Sequence, residues 1–292
     1  MDFGDRLKQY RTNEGLSQEQ LAEKIGVSRQ AITKWETKRG LPDVENMIIL
    51  AEIFKMTLDE LVLQESKKQE SDKELFESET IYDIDCSKHF DIHMGSARKI
   101  KICSGNDEKI HIKLQSESLK ELSSLYKVKL DERRNKIDID FIKKSGISRY
   151  EAEEAVDVLI ALPKDLSNYC EVEASTRQLY LEDLCLERLE YDGSADEVFI
   201  KDTKGSLELT SKTDYNITVK GVCTKLDVNQ FKAKSVVHIE SLDGYSVLNN
   251  GRRCIVVYQR DGEVVDKLQI NEGENIISIS GIASELIIDA MK

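Results

Sequence analysis

Proline is nearly absent from this 292-residue chain, which contains only Pro42 and Pro163, so prolines do not mark a linker between domains. The six cysteines include no pair at CxxC spacing, and this argues against zinc or redox chemistry. No run approaches the roughly 18 apolar residues of a membrane-spanning helix, and the first ten residues contain no apolar signal region. These absences predict a cytoplasmic protein with reduced thiols and no membrane partner.

Motifs for metal binding and catalysis are missing as well. Cys86, His89, His93 and Cys103 are spaced closely enough to be considered as zinc ligands. Along a strand, however, Cys86 shares the inward face of Phe90, whereas the two histidines point outward, so the ligands cannot converge. The sequence also has no HExxH, GxSxG or Gly-rich phosphate loop. We therefore predict no metal site, no cofactor and no enzymatic activity.

Positive charge is scarce overall but not locally. The formal net charge is −13, which excludes binding of nucleic acid by bulk positive charge. Residues 1–64 hold 9 Lys and Arg against 11 Asp and Glu, while the remaining residues hold 33 against 44. Within residues 17–40 the balance reverses, with five basic and three acidic residues. The acidity therefore belongs mainly to the C-terminal part, and one short segment can still be basic.

The pattern of apolar residues divides the chain. Residues 1–64 have helical spacing, residues 65–80 (ESKKQESDKELFESET) are charged and have almost no apolar content, and residues 81–292 alternate with period two. One face of one element cannot follow both periods, so the change marks a domain boundary. We predict a multidomain α plus β protein, in which a helical domain (1–64) is joined by a charged linker (65–80) to an all-β repeat domain (81–292).

Five short helices are predicted in the first domain, the last at about residues 57–63. Gly15 ends the first helix, Ser17 with Gln20 forms a capping box that begins the second, Gly26-Val27 makes a tight turn, and Ser28 caps the third. Two helices joined by a turn of about three residues form a helix-turn-helix. The third helix buries Ile32 and Trp35, with Ala31 beside them.

The outward side chains of the third helix are of the types that read base edges and thymine methyl groups. A phosphate can bind at the N-termini of the second and third helices, and basic residues just after the third helix suit further phosphate contacts. The predicted DNA-binding residues are Gln18, Ser28, Arg29, Gln30, Thr33, Lys34, Lys38 and Arg39. We expect Trp35 to belong to the core and Glu36 to pair with a base such as Arg11.

The segment LSQEQLAEKIGVSRQAITKWETKRGLPDVENMIILAEIF resembles the Cro and phage-repressor type of helix-turn-helix, the xenobiotic-response-element (XRE) family of bacterial regulators. The resemblance covers about residues 5–63. It implies that Gln18 contacts the DNA backbone and that the outward positions of the third helix read bases. One departure is the segment 37–40, where the family often has a shorter Arg-Gly turn.

The second domain contains an internal repeat. Apolar-x-apolar triplets begin every 19 residues, at Ile160, Leu179, Val198, Ile217, Val236 and Ile255. The fifth triplet fits better when it begins one residue later, at Val237. A second series begins at Cys170, Leu189, Leu207, Leu226 and Tyr245, and turn pairs such as Lys204-Gly205 and Asp243-Gly244 separate the strands. Two strands per unit over about residues 156–260 predict a β-solenoid. The alternative is an antiparallel β-sandwich, since short and evenly spaced strands also suit it.

Residues 81–150 are rich in strands but irregularly spaced, and could form the first coils or a capping sheet. Together with the ALPKD segment and the stacked strands, the opening FDIHMGSARKIKI resembles the adhesin-like β-solenoid domain of bacteria. That family does not fix a function.

These observations predict a sequence-specific transcription regulator that binds a double-stranded DNA operator with its third helix in the major groove, as a homodimer. The β-repeat domain would provide oligomerisation or signal sensing, through an unknown ligand or protein. The alternative is an interaction scaffold, whose β-repeat domain binds a protein or envelope component while the DNA-binding domain serves autoregulation. With so few basic residues, we expect DNA binding to depend weakly on salt.

Overall fold

The computed structural model describes residues 3–13, 16–54, 75–144, 146–260, 263–265 and 273–290. The chain forms two compact units, Met1–Lys73 and Glu74–Lys292. Within the described residues the helices are α1 (Phe3–Asn13), α2 (Gln18–Ile25), α3 (Arg29–Glu36), α4 (Val44–Phe54), α5 (Leu122–Leu125) and α6 (Arg149–Ala155). None of these helices is long and apolar enough to cross a membrane.

Local sequence explains where the helices of the first unit begin and end. The Ser17 hydroxyl accepts a hydrogen bond from the Gln20 amide at 3.1 Å, and the Gln20 side chain accepts one from the Ser17 amide at 2.7 Å, so the predicted capping box is confirmed. Gly26 ends α2 with a left-handed φ of 81°. The buried core consists of Leu7, Leu21, Ala22, Ile25, Ile32, Trp35, Leu50, Ala51 and Phe54. The predicted fifth helix lies outside the described residues.

The second unit is dominated by strands. Within its described residues they are β1 (Phe76–Asp83), β2 (Lys88–Ser104), β3 (Lys109–Ser116), β4 (Tyr126–Arg133), β5 (Lys136–Lys143), β6 (Asp157–Leu162), β7 (Ser167–Glu182), β8 (Cys185–Ser211), β9 (Asn216–Phe231), β10 (Lys234–Ile239), β11 (Tyr245–Asn249), β12 (Ile255–Arg260), β13 (Glu263–Val264), β14 (Asn275–Ile282) and β15 (Glu285–Ala290). A large all-β region therefore follows the helical unit, as predicted.

Parallel pairing reproduces the 19-residue spacing in the middle of the region. Leu179 of β7 lies opposite Val198 of β8, and Val198 lies opposite Ile217 of β9, each pair 19 residues apart. Ile217 in turn lies opposite Val237, the later of the two predicted starts for the fifth triplet. All four side chains are buried. These strands do not form the antiparallel pairs that the alternative sandwich requires.

At both ends of the repeat the order of strands differs from the order in the sequence. Ile102 of β2 lies between Ile160 of β6 and Leu181 of β7. Likewise, Ile288 of β15 lies between Val237 of β10 and Tyr258 of β12. The prediction that triplets 19 residues apart stack directly from about 156 to 260 is therefore wrong at its first and last steps.

Burial gives a physical reason for the inserted C-terminal strands. In β15, Leu286 and Ile288 are fully buried, whereas Ile255 of β12 is 53% exposed. Placing the more apolar strand inside and the more polar strand at the end removes more apolar surface from water. It also gives the stack a polar end, which a repeat structure needs for solubility.

The other end of the β region begins earlier than predicted. Residues 76–80 of the predicted linker belong to β1, an edge strand of alternating half-buried and exposed residues, and residues 65–74 lie outside the described part. In this edge strand only every second side chain is turned towards the protein, and the others face solvent and are mostly charged. This explains why its sequence looks like a charged linker. β1 pairs antiparallel with β3, and β3 with β6, while β4 pairs antiparallel with β5, which in turn pairs in parallel with β2.

One orientation was predicted incorrectly. Cys86 is exposed rather than turned inward, because it lies in the turn between β1 and β2, where the alternation of a strand does not apply. Among the described residues, no group of three or more His, Cys, Asp or Glu side chains could hold a metal ion.

Candidate nucleic-acid interface

The candidate site is the outward face of α3 together with the ends of α2 and α3. Three residues, 26–28, join the two helices, and the Ser28 hydroxyl begins α3 by accepting a hydrogen bond from the Ala31 amide at 3.2 Å. Ile32 and Trp35 are buried on the inner side, which confirms Trp35 as a core residue. Seven of the eight predicted side chains are exposed, namely those of Ser28, Arg29, Gln30, Thr33, Lys34, Lys38 and Arg39. Gln18 is half-buried.

A buried ion pair fixes the C-terminal end of α3 to α1. The Arg11 Nε donates to Glu36 Oε1 at 2.6 Å and its Nη2 donates to Oε2 at 3.1 Å, as expected for the predicted pair. The two side chains are only 10% and 2% exposed. Arg11 also donates to the carbonyl of Leu16 at 2.7 Å. Two parallel hydrogen bonds define the orientation of both side chains, so α3 has a fixed position on the core.

Gln18 extends this pair into a network that reaches the outer face of α3. Its Nε2 donates to Glu36 Oε2 at 2.7 Å, and its Oε1 accepts a hydrogen bond from the Thr33 hydroxyl at 3.2 Å. The Thr33 hydroxyl also lies 3.0 Å from the carbonyl of Arg29, which it can donate to instead. The network Arg11–Glu36–Gln18–Thr33 therefore links α1, α2 and α3. Sequence reasoning did not find the Gln18–Thr33 contact, because no local pattern relates side chains 15 positions apart.

The segment that departs from the family pattern forms the end of α3. The amides of Lys38 and Arg39 donate to the carbonyls of Trp35 and Lys34 at 3.3 and 2.9 Å, and Lys38 has a left-handed φ of 65°. This is the hydrogen-bond pattern of a Schellman motif, in which glycine is usual at the left-handed position. The turn brings Lys38 and Arg39 to the surface directly after α3.

Charge on this face is mainly positive. Residues 29–40 contain four basic side chains and one acidic side chain. The acidic one is Glu36, whose carboxylate is buried against Arg11. The exposed surface of α3 and its following turn is therefore basic, although the whole chain has a net charge of −13.

Comparison with known proteins supports this interpretation of the helical unit. The family model described as Helix-turn-helix matches residues 7–61. The chain is 47% identical over 62 residues to the HTH-type transcriptional activator BcrR of Enterococcus faecalis, a match covering 21% of this chain and 30% of that protein. It is 33% identical over 79 residues to the SPbeta prophage-derived HTH-type transcriptional regulator YonR of Bacillus subtilis, covering 27% of this chain and 73% of YonR.

Solved structures similar to a larger share of this chain include an adhesin-like protein. A Clostridium sporogenes protein named for a proposed role in cell adhesion is 12% identical, with a TM-score of 0.37, over 75% of this chain and 100% of that one. The match to YonR thus covers most of the length of YonR, whereas the match to BcrR covers less than a third of the length of BcrR.

Proposed function

Because the chain belongs to the helix-turn-helix family of transcriptional regulators, we propose that it binds a specific double-stranded DNA operator with α3 in the major groove. The observation that carries this proposal is the exposed, basic outer face of α3, held in place by the buried Arg11–Glu36 pair. A helix fixed on a core can present the same side chains to every operator, and base reading requires this.

Four side chains of α3 suit base reading. Arg29 can donate two hydrogen bonds to guanine and Lys34 can donate to the same acceptors, while Gln30 can pair with adenine. Thr33 differs from the others, because its hydroxyl is engaged by Gln18 and the Arg29 carbonyl. Its methyl group is what remains for contact with a thymine methyl.

Phosphate contacts would come from the edges of this face. Gln18 and Ser28 lie at the N-termini of α2 and α3, where backbone amides without helical partners can bind a phosphate. Lys38 and Arg39 are exposed in the turn after α3 and would contact phosphates as positive charges. Such contacts set the position of the domain on the duplex without reading its sequence.

The proposal includes a homodimer. One domain makes few base contacts, each worth about 1–3 kcal/mol, so tight binding requires two copies on neighbouring half-sites. The half-sites would lie about 34 Å apart, one turn of the double helix. The operator is therefore expected to be a palindrome.

For the second unit we infer a β-solenoid architecture and a role in self-association or signal sensing. The parallel pairs at 19-residue separation across β7, β8 and β9 support stacked coils of equal length. A reader domain with few base contacts also needs another part of the chain to bring two copies together or to respond to a signal.

The DNA proposal is tested by selecting sequences from a random duplex pool with the full chain, and then measuring affinity by fluorescence anisotropy. Arg29→Ala should weaken binding by about 1–3 kcal/mol and relax specificity at one base position. Lys8→Ala is the control, since Lys8 is exposed on α1 and its loss removes the same charge. Unchanged specificity in Arg29→Ala would remove this residue from the site. If the pool yields no enriched sequence, the interaction scaffold becomes the better hypothesis.

A further inference from the structure

Two aromatic rings stack on the outer face of the β region. Tyr180 of β7 lies opposite Phe199 of β8, with ring centroids 4.6 Å apart and ring planes 17° from parallel. Neighbouring strands are about 4.8 Å apart, so rings at this separation can be parallel only if they stand on edge, face to face. The residues that flank Phe199, Val198 and Ile200, are buried, so the half-buried rings lie on the side that faces solvent.

The two outer faces of this aromatic pair differ. Over the Tyr180 ring, on the side of β2, lies the ammonium group of Lys99, 4.4 Å from the ring centroid. On the other side the Phe199 ring faces β9, where the residue opposite is Thr218. A threonine is too short to cover an aromatic ring, and among the described residues no second ring or cation lies over Phe199. The ladder of stacked groups therefore stops at Phe199.

The strand after Thr218 supplies another ring. His238 of β10 lies opposite Thr218, and its Nδ1 is 2.9 Å from Oδ2 of Asp289 on β15, a carboxylate with a side chain only 11% exposed. Phe199 and His238 are two strand spacings apart, about 9.6 Å. Stacked rings prefer centroid separations of about 4.5–7 Å. The space above Thr218 between these two rings, the notch, therefore has room for one planar ring.

Positive charge lies at one end of the notch. Two residues further along β8 and β9, on the same face, Lys201 lies opposite Lys220. Both side chains are exposed, and neither ammonium group forms an ion pair with the described residues. Glu182, which lies opposite Lys201 on its other side, is paired with Lys101 instead. Like charges on neighbouring strands repel each other, and an anion between the two lysines would remove this repulsion.

We propose that the notch binds an aromatic carboxylate. The planar ring would stack on the free face of Phe199 above Thr218, and the carboxylate would lie between the ammonium groups of Lys201 and Lys220. Stacked aromatic rings gain free energy beyond the burial of their area, and two unpaired cations favour an anion over a neutral or cationic ligand. Binding does not depend on the proposed DNA function, and only a role of the ligand as a signal would rest on that function.

Four small molecules separate the contributions of charge and planarity. Benzoate is planar and anionic, benzyl alcohol is planar and neutral, benzylamine is planar and cationic, and cyclohexanecarboxylate is anionic without an aromatic ring. Titrations followed by NMR on the full chain without DNA should show benzoate binding about fivefold or more tightly than each of the other three. An equal or higher affinity for any of the other three, or no binding of benzoate, would overturn the proposal.

The histidines report where benzoate binds. The chain has four of them, and His238 borders the notch, whereas His93 lies on β2. With carbon-13-labelled histidine, the His238 signal is identified by its loss in His238→Gln. This signal should shift on addition of benzoate while that of His93 stays in place. A shift of other histidine signals without that of His238 would place the bound molecule elsewhere and contradict the proposed site.

Single variants test the two parts of the notch. Lys220→Gln should weaken benzoate binding about threefold and leave binding of benzyl alcohol unchanged. Lys225→Gln is the matched control, because Lys225 is exposed on the same strand but lies opposite Ser206, away from the notch. Phe199→Leu keeps an apolar side chain without a ring and should abolish the preference for benzoate over cyclohexanecarboxylate. Equal losses in the two lysine variants would indicate only an effect of net charge, in contradiction to the proposal.

Thr218→Phe tests whether the notch is open in the free protein. The added ring would take the place of the ligand, so benzoate binding should be lost. The melting temperature of the free protein should stay the same or rise, because an aromatic pair across neighbouring strands is favourable. A lower melting temperature would mean that the space above Thr218 is already filled, and retained benzoate binding would place the ligand elsewhere. Because no DNA is present, these results are independent of whether α3 binds an operator.

Discussion

At the scale of single residues, the position of the recognition helix depends on one carboxylate. Glu36 accepts hydrogen bonds from Arg11 and Gln18, and its side chain is 2% exposed. A charge so deeply buried is stable only while its partner remains, since an unpaired buried charge carries a large desolvation penalty. Glu36 therefore has a structural role, although it lies within the helix that would read DNA.

We predict that Glu36→Gln destabilises the helical unit by about 3 kcal/mol, because the Arg11 guanidinium is left buried without its counter-charge. Chemical denaturation of the full chain, followed by Trp35 fluorescence, measures this change, since the chain has one tryptophan and it lies in this unit. Glu23→Gln is the control at an exposed site of α2 and should change stability by less than about 0.5 kcal/mol. A loss below about 1 kcal/mol for Glu36→Gln would mean that the pair contributes little.

Adding Arg11→Met to Glu36→Gln should restore part of the lost stability, because no uncompensated charge then stays buried. The double-mutant cycle gives the coupling free energy directly. Strictly additive losses would show that the two side chains act independently, in contradiction to the bidentate geometry.

At the scale of elements, the packing of the β region depends on close approach of neighbouring backbones. The sequence predicts turns at Lys204-Gly205 and Asp243-Gly244, and both glycines have positive φ, 105° and 79°. Their surroundings differ. A Cβ atom at Gly205 would lie 1.6 Å from the carbonyl oxygen of Leu186, whereas one at Gly244 would have nothing within 4 Å. Gly205 is therefore required by the close approach of the Leu186 backbone, and Gly244 only by its own backbone conformation.

We predict that Gly205→Ala destabilises the β region by about 3 kcal/mol or more, because the neighbouring backbone at Leu186 must move. Gly244→Ala, with the same substitution at a left-handed residue, should cost only about 1 kcal/mol. Thermal unfolding followed by far-ultraviolet circular dichroism compares the two variants. Equal losses would indicate that the backbones at residues 186 and 205 are not in contact.

At the scale of the whole molecule, charge is segregated along the sequence. Residues 65–292 hold 33 basic and 44 acidic residues, a net charge of −11, while residues 17–40 have a net charge of +2. An acidic bulk repels DNA and a small basic face attracts it. Binding to arbitrary DNA should therefore be weak relative to binding to the operator.

We predict a shallow dependence of operator affinity on salt. If Lys38 and Arg39 of two copies neutralise about four phosphates, a plot of the logarithm of the DNA association constant against the logarithm of the salt concentration has a slope of about −4. Anisotropy titrations over a range of KCl concentrations measure this slope for the full chain. Lys38→Ala should reduce its magnitude by about 2 for a dimer, whereas Lys8→Ala should leave it unchanged. A slope steeper than about −7 would mean that the basic face has been defined too narrowly.

Much of the local structure is determined by the sequence alone, because it depends on residues a few positions apart. The capping box of Ser17 and Gln20, the cap at Ser28 and the turn at Gly26 are all visible in the sequence and confirmed in the structure. The same holds for the alternation of strands and the length of the repeat, since Leu179, Val198 and Ile217 pair at 19-residue separation. Even the Arg11–Glu36 pair could be anticipated, although it joins residues 25 positions apart.

Only the tertiary structure decided which strands are neighbours. A 19-residue period sets the spacing of the repeated strands but contains no information on which strands become neighbours, so β2 and β15 could insert where apolar surface was best buried. Paired residues such as Ile102 and Leu181 lie 79 positions apart, and what brings them together is the burial of entire strands rather than any local pattern of residues.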